Sequence, residues 1–153
     1  MQTRNAVLAA AGLVLALGAG CTRNTDFTIT KTFDPVNSVD PIYVVTQDVD
    51  LAAEAGTAWK HRSKVKKLDL VALDTTLTGY RFPTITPTAG TTGSGSVVLV
   101  RGANRATVGA WTGYPFPTTP PDSIGATPDA SGAALIMDAL KGDGRFSGVL
   151  TGS

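Results

Sequence analysis

The chain has 153 residues, enough for one domain with a short tail. Its composition, 42% apolar and 16% charged, excludes a wholly disordered chain. The 13 basic residues nearly balance the 12 acidic ones, which argues against a nucleic-acid partner. One cysteine and one histidine exclude an internal disulfide and a histidine–cysteine metal cluster, and we expect no metal or cofactor.

Residues 1–20 have the organisation of an export signal. Arg4 precedes an uninterrupted apolar run over residues 6–17, and small residues occupy positions 18–20. Residues 6–20 are fewer than the roughly 18–20 residues that a membrane-spanning helix needs. The pattern therefore predicts a signal peptide over residues 1–20, whose removal we expect to cost the folded domain nothing.

The segment Leu17-Gly18-Ala19-Gly20-Cys21 resembles the lipobox of bacterial lipoproteins. Small residues at 19 and 20 fit that family, whereas Gly18 stands where the family prefers leucine. In the family a peptidase cuts before the cysteine, whose sulfur takes a diacylglycerol and whose new amino group is usually acylated, by palmitate for example. The resemblance implies lipidation of Cys21 and anchoring in the bacterial cell envelope. Because Thr22 rather than aspartate follows the cysteine, the resemblance also favours sorting to the outer membrane. An ordinary cleaved export signal and an uncleaved anchor are the alternatives.

The remaining chain divides into a short polar tether at residues 21–25 and a single domain over residues 26–153. Residues 26–33 predict a half-buried strand, because apolar Phe27, Ile29 and Phe33 alternate with threonines. A second strand is predicted over residues 42–46.

The next two segments leave choices open. Over residues 48–62, helical spacing of apolar side chains and an N-cap at Asp48 or Asp50 predict a helix, which Gly56 weakens. Residues 65–78 contain two strand registers. They indicate either a bulge near Val71 and Ala72 or a strand buried on both faces.

The second half predicts short strands separated by turns. In chain order we expect a strand over 80–86, an exposed loop over 84–96, a hairpin of 97–100 with 107–111, a loop over 115–128, a helix over 131–141 and a strand over 145–151. Ser131 is the predicted cap of that helix and Gly142 its stop. Together these elements predict a mainly β, antiparallel β-sandwich-like domain of about six or seven short strands. Two short helices are expected to cover an edge or an open end.

Two clusters are candidate contact sites. Six basic residues lie within eight positions: Lys60, His61, Arg62, Lys64, Lys66 and Lys67. They suit either a contact with anionic lipid, lipopolysaccharide or another polyanion, or a solvated helix end, which we favour. Three aromatic residues, Trp111, Tyr114 and Phe116, suit either a stacking platform for a sugar or partner protein, or core packing, which we again favour.

Catalytic groups are scarce in this sequence, and we assign no catalytic residue. His61 is the only imidazole, and no serine lies in a G-x-S-x-G nucleophile elbow. Asp48 with Asp50, or Asp69 with Asp74, could act as paired carboxylates, but their spacing in sequence does not fix their separation in space. We therefore expect a noncatalytic binding or scaffolding module with an envelope protein or glycan as partner. The alternative is a hydrolase of envelope polymers that uses aspartates and His61. A third possibility, a subunit of a larger envelope assembly, predicts an exposed sheet edge, and the last strand is the candidate for an unpaired edge.

Overall fold

A computed structural model describes residues 9–20, 25–33, 43–79, 88–116, 122–125 and 128–153. Its strands are β1 (Ala9–Gly20), β2 (Thr25–Thr32), β3 (Tyr43–Asp50), β4 (Lys67–Gly79), β5 (Thr91–Arg101), β6 (Asn104–Phe116), β7 (Asp122–Gly125) and β8 (Arg145–Gly152). Its helices are α1 (Leu51–Glu54), α2 (Gly56–Lys60) and α3 (Ser131–Lys141), with a 3-10 turn at Arg62–Lys64. The predicted mainly β, antiparallel class is confirmed. Cys21 and the strand predicted over 80–86 lie outside the described residues.

The strands form two four-stranded antiparallel sheets. The first has the order β2-β1-β4-β7 and the second the order β3-β8-β5-β6. Strand β8 pairs with β3 on one side and with β5 on the other. The prediction that the last strand lies at an unpaired edge was therefore wrong, because pairing partners distant in sequence enclose it.

Strand β2 follows the predicted alternation. Phe27, Ile29 and Phe33 are buried, whereas Thr28 and Thr30 are exposed. Successive side chains of a strand point to opposite faces, so one face of β2 joins the core and the other meets solvent.

Strand β1 lies inside the first sheet, between β2 and β4. Ala19, for example, pairs with Thr25 on one side and with Leu68 on the other. Among the described strands, β1 is the only one that pairs with β2. The segment supplies backbone partners to two strands, which argues against the expectation that losing residues 1–20 costs the folded domain nothing. That residues 1–20 are an export signal stays a prediction.

Strand β4 contains a bulge. Ala16 of β1 pairs with Ala72 and the next residue, Leu17, pairs with Leu70, so the register skips Val71. Val71 is 66% exposed. An extra residue in one strand is the defining feature of a β-bulge, and of the two alternatives for this segment the bulge is confirmed.

The helix predicted over 48–62 is broken in two. Asp50 caps α1, because its Oδ1 accepts a hydrogen bond of 2.9 Å from the backbone N–H of Ala52. Gly56, the first residue of α2, has a φ of +48°, a conformation that glycine adopts at little cost, and the chain is broken here from α1. The cap and the inward face of Leu51 and Ala58 are confirmed, but the single continuous helix was wrong.

Helix α3 spans the predicted range but has a different cap. Asp129, not Ser131, completes the helix start: its Oδ1 accepts a 2.8 Å hydrogen bond from the backbone N–H of Ser131. This hydrogen bond lowers the pKa of the Asp129 carboxyl.

Helix α3 also packs against both sheets. It contacts β4 of the first sheet and β5, β6 and β8 of the second. Its buried side chains, those of both sheets and those of the α1–α2 segment form one hydrophobic cluster. Helix α3 therefore packs one face against both sheets, and Ala134, Asp138 and Lys141 on its other face are exposed. That the helices cover an edge or an open end stays a prediction.

Strand β5 begins inside the predicted loop. Residues 91–96 are paired with β6, so the loop prediction was wrong from Thr91 onward. A Cβ atom placed on Gly95 would overlap the ring of Trp111, and one on Gly93 would lie 2.9 Å from Cε2 of Phe116. Glycines here make room for aromatic side chains of the neighbouring strand, an arrangement that stabilises glycine-containing strands.

Of the two turn segments around β6 and β7, the hairpin was predicted correctly and the loop only in part. Gly102 and Ala103 connect β5 to β6, and Gly102 has a φ of +59°, so the predicted hairpin is confirmed. The loop predicted over 115–128 contains β7, which pairs with residues 74–77 of β4.

Candidate functional site

The basic cluster lies where α2 leads through the 3-10 turn into β4. Its exposed members are Lys60, His61, Lys64, Lys66 and Lys67, and we call these five residues the basic surface. Residues 60–69 contain five lysine or arginine side chains and one carboxylate, that of Asp69. Lys67 forms an ion pair of 2.8 Å with Asp69, and both side chains are more than half exposed. Such a solvated pair leaves the segment strongly positive.

Arg62, in the 3-10 turn, points back onto α2. Its guanidinium lies 4.1 Å from the centroid of the Trp59 ring, and its Nη1 donates a 3.1 Å hydrogen bond to the Trp59 carbonyl. A guanidinium over an indole is a favourable cation–π pair. Arg62 therefore braces the turn, and the predicted contact role falls mainly on the exposed neighbours.

Lys141, at the end of α3, holds this turn from the other side. Its Nζ donates hydrogen bonds to the carbonyls of Arg62 (2.9 Å), Ser63 (3.5 Å) and Val65. The contact fixes the backbone on which the basic surface is displayed and adds a positive charge beneath it. Sequence reasoning missed Lys141 because 76–79 residues separate it from these carbonyls.

The basic surface lies at the end of the first sheet where β2 begins. Strands β2 and β4 are both antiparallel to β1, so they run in the same direction. Ala19 pairs with both Thr25 and Leu68, and Gly20 pairs with Lys67. Thr25 and Leu68 are thus two strand spacings apart, about 10 Å. The first residue of β2 and the start of β4 are neighbours at one end of the domain.

The three aromatic residues are all half-buried on β6. Trp111 packs against the core cluster above Gly95. Tyr114 and Phe116 form an edge-to-face pair with centroids 5.3 Å apart, and the Tyr114 hydroxyl donates a hydrogen bond to the Asp122 carboxylate. Because Asp122 belongs to β7, this contact joins the two sheets.

A groove of about 530 Å³ lies at the other end of β2. Its charged lining residues are Lys31, Asp48, Asp50, Glu54, Arg101, Asp143 and Arg145. His61 is not among the lining residues, so the groove brings the candidate pair Asp48 and Asp50 together without the imidazole. Asp69 and Asp74 lie on β4, exposed and away from this lining.

The charges in the groove largely compensate one another. Lys31 Nζ lies 2.6 Å from Glu54 Oε1, and Ser147 donates a 2.7 Å hydrogen bond to Asp48. Arg101 contacts Asp143 and, just outside the groove, Asp138, each at 2.8 Å. Paired carboxylates of this kind are typical of a structural network.

The network around Arg101 shifts two pKa values. The hydrogen bond to Asp138 is the main cause of the raised pKa of Arg101. The backbone N–H of Arg145, which donates to Asp143 Oδ1, is the main cause of the lowered pKa of Asp143, and the Arg101 charge adds to it. Both effects favour the charged forms.

We expect Asp143→Asn to lower the melting temperature at neutral pH by a small amount. A carboxyl whose pKa is lower in the folded state stabilises the fold above its unfolded pKa, about 3.9, and loses that contribution as the pH falls through the folded value. The difference between the variant and the wild type should therefore shrink below pH 4 and in high salt. Thermal unfolding across pH measures it. A difference that is constant with pH would contradict the role of the charge.

Among the described residues, no three histidine, cysteine, aspartate or glutamate side chains are grouped so as to hold a metal ion. No helix in the described part of the chain is long and apolar enough to span a bilayer. Comparisons with protein-family models, curated proteins and solved structures find no match to this chain. Any function assigned to it therefore rests on its own residues and their geometry.

Proposed function

We propose that this chain is an exported lipoprotein, anchored through acylated Cys21 in the bacterial cell envelope and most simply in the outer membrane. Residues 1–20, which include β1, are the signal peptide, residues 21–25 are the tether, and β2–β8 with the helices form the mature β-sandwich-like module. The module acts without catalysis, as a binding or scaffolding element for an envelope protein or glycan.

The observation that carries this proposal is the lipobox-like segment ending at Cys21, the only cysteine of the chain. A single cysteine in an exported protein has no disulfide partner, and acylation gives it a use. Stable membrane attachment generally takes two lipid signals or more, which a triacylated cysteine provides. Because β2 begins four residues after Cys21, the tether is short and keeps the module close to the bilayer.

The hydrogen bonds, ion pairs and positions of the ionisable groups support a function without catalysis. In the groove, Glu54 pairs with Lys31, Asp143 pairs with Arg101, and Asp48 accepts a hydrogen bond from Ser147. His61 lies outside that groove. A hydrolase needs an acid and a base that converge on one bond. The aromatic contact proposed for a partner protein or a sugar would use the exposed part of the half-buried Tyr114–Phe116 pair.

Metabolic labelling with a palmitate analogue tests the anchor. In a bacterial host that processes lipoproteins, we expect the wild-type chain to take up the label and to sediment with membranes. Cys21→Ala should abolish the labelling completely, because it removes the acylated sulfur. Intact-mass measurement of the mature chain should find a start at residue 21 with lipid attached.

Thr22→Ala is the matched control, since it changes the neighbouring residue and leaves the sulfur in place; its labelling should equal that of the wild type. Equal labelling of the wild type and Cys21→Ala would refute the proposal. So would a mature chain that starts at residue 21 with a free thiol and no lipid.

A further inference from the structure

We infer that the basic surface binds the headgroups of anionic phospholipids and forms a second membrane contact beside the lipid on Cys21. The inference rests on the proposed function for the position of the membrane. The binding chemistry is independent of the proposed function, because it belongs to the exposed side chains of the basic surface, Lys60, His61, Lys64, Lys66 and Lys67.

The first argument is the shared position of the tether and the basic surface. Cys21 precedes Thr25 by four residues, which span at most about 14 Å. Thr25 lies two strand spacings, about 10 Å, from Leu68, next to Lys67. An anchor at Cys21 therefore lies at most about 24 Å from the lysines at the start of β4, so that one membrane surface can meet both.

The second argument is that this placement survives the loss of β1. Helix α2 contacts β2 directly, without β1 between them. Lys31 of β2 forms a 2.6 Å ion pair with Glu54, and Phe27 and Ile29 are buried in the common core. After cleavage Phe27, two residues beyond Thr25, still packs in that core and holds the start of β2, while the Lys31–Glu54 pair holds its other end.

The third argument is the distribution of charge along the domain. Residues 60–69 carry five cations against one carboxylate, although the whole chain is almost neutral. The carboxylate-lined groove lies around Lys31, six residues farther along β2 than Thr25, which is about 20 Å. The domain therefore presents its positive end to a negative surface, while the groove, whose charges largely compensate one another, lies at the other end of β2. Lysines close to an anionic membrane add binding energy individually, so several of them act as one lipid signal.

Vesicle co-sedimentation of the unlipidated full chain, all 153 residues with Cys21→Ala, tests the inference. The vesicles are phosphatidylcholine alone and phosphatidylcholine with one third phosphatidylglycerol. We expect binding to the anionic vesicles to exceed binding to the neutral ones and to fall with added salt. Lys60→Glu/Lys66→Glu should weaken the binding to anionic vesicles by at least about tenfold.

The matched control is Arg105→Glu, compared with Lys66→Glu alone, because both reverse one charge at an exposed position and Arg105 lies on the second sheet. The binding of Arg105→Glu should stay within about twofold of the parent chain. Equal losses in these two single variants, or equal binding to neutral and anionic vesicles, would overturn the inference and leave a solvated basic surface. Binding to lipopolysaccharide without binding to phosphatidylglycerol would overturn the choice of phospholipid. Since the assay needs no acylation, its outcome is independent of the labelling experiment on Cys21.

Discussion

Deletion of residues 1–20 is expected to loosen the first sheet while leaving the second intact. Strand β1 is the only described strand that pairs with β2, and it also pairs with β4 from residue 67 to residue 79. Without it, the amides of β2 that faced β1 lose their acceptors. We expect hydrogen exchange in β2 to accelerate by about a hundredfold, since an edge held only by side chains opens locally. Mass spectrometry of exchanged peptides resolves the two sheets.

Strand β2 should nevertheless stay attached to the domain. Phe33 and Ile29 are each 1% exposed, and the Lys31–Glu54 pair ties the strand to α1. The comparison is between the full chain and residues 21–153, both with Cys21→Ala. Peptides from β3, β5, β6 and β8 serve as the internal control, because these strands pair only with one another. Unchanged exchange in β2 would mean that another strand replaces β1, and global unfolding of the shorter chain would mean that β1 is essential.

Local patterns in the sequence predicted the elements whose stability is local. The alternation in β2, the bulge at Val71, the turn at Gly102 and the range of α3 all follow from side-chain periodicity or turn chemistry. Each of these signals is contained within a few residues. For the candidate site, the same reasoning found every member of the basic surface.

The break at Gly56 and the cap at Asp129 are local failures, and the others involve contacts between distant residues. Residues 91–96 look like a loop because they are rich in glycine, and only the rings of Trp111 and Phe116 explain why they form a strand. The paired position of β8 depends on β3 and β5, which lie far away in sequence. Lys141 beneath the basic surface is a third case. Long-range pairing overrides local propensity, and nothing in the local sequence reports it.

Gly132→Ala is expected to destabilise the protein by about 1–3 kcal/mol, although alanine is the better helix former. Gly132 lies in the first turn of α3, buried between Val108 of β6 and Leu70 of β4. A Cβ on residue 132 would overlap Cγ1 of Val108, which is fully buried, and would lie 3.6 Å from Cδ2 of Leu70. The gain in helix propensity, at most about 1 kcal/mol, is smaller than the cost of moving a packed strand. Urea unfolding measures the difference.

The close approach of α3 to β6 predicts a specific rescue. Val108→Ala alone should lower stability, because it leaves a cavity beside Gly132. In the double variant the new methyl group at 132 fills part of that space, so the two changes together should cost less than their sum by at least about 1 kcal/mol. Ala134→Gly, at an exposed position of the same helix, is the control for propensity and should cost about 1 kcal/mol. If Gly132→Ala instead raised stability, or if the two costs were simply additive, then α3 would not be wedged against β6, and the single core that joins both sheets would have to be abandoned.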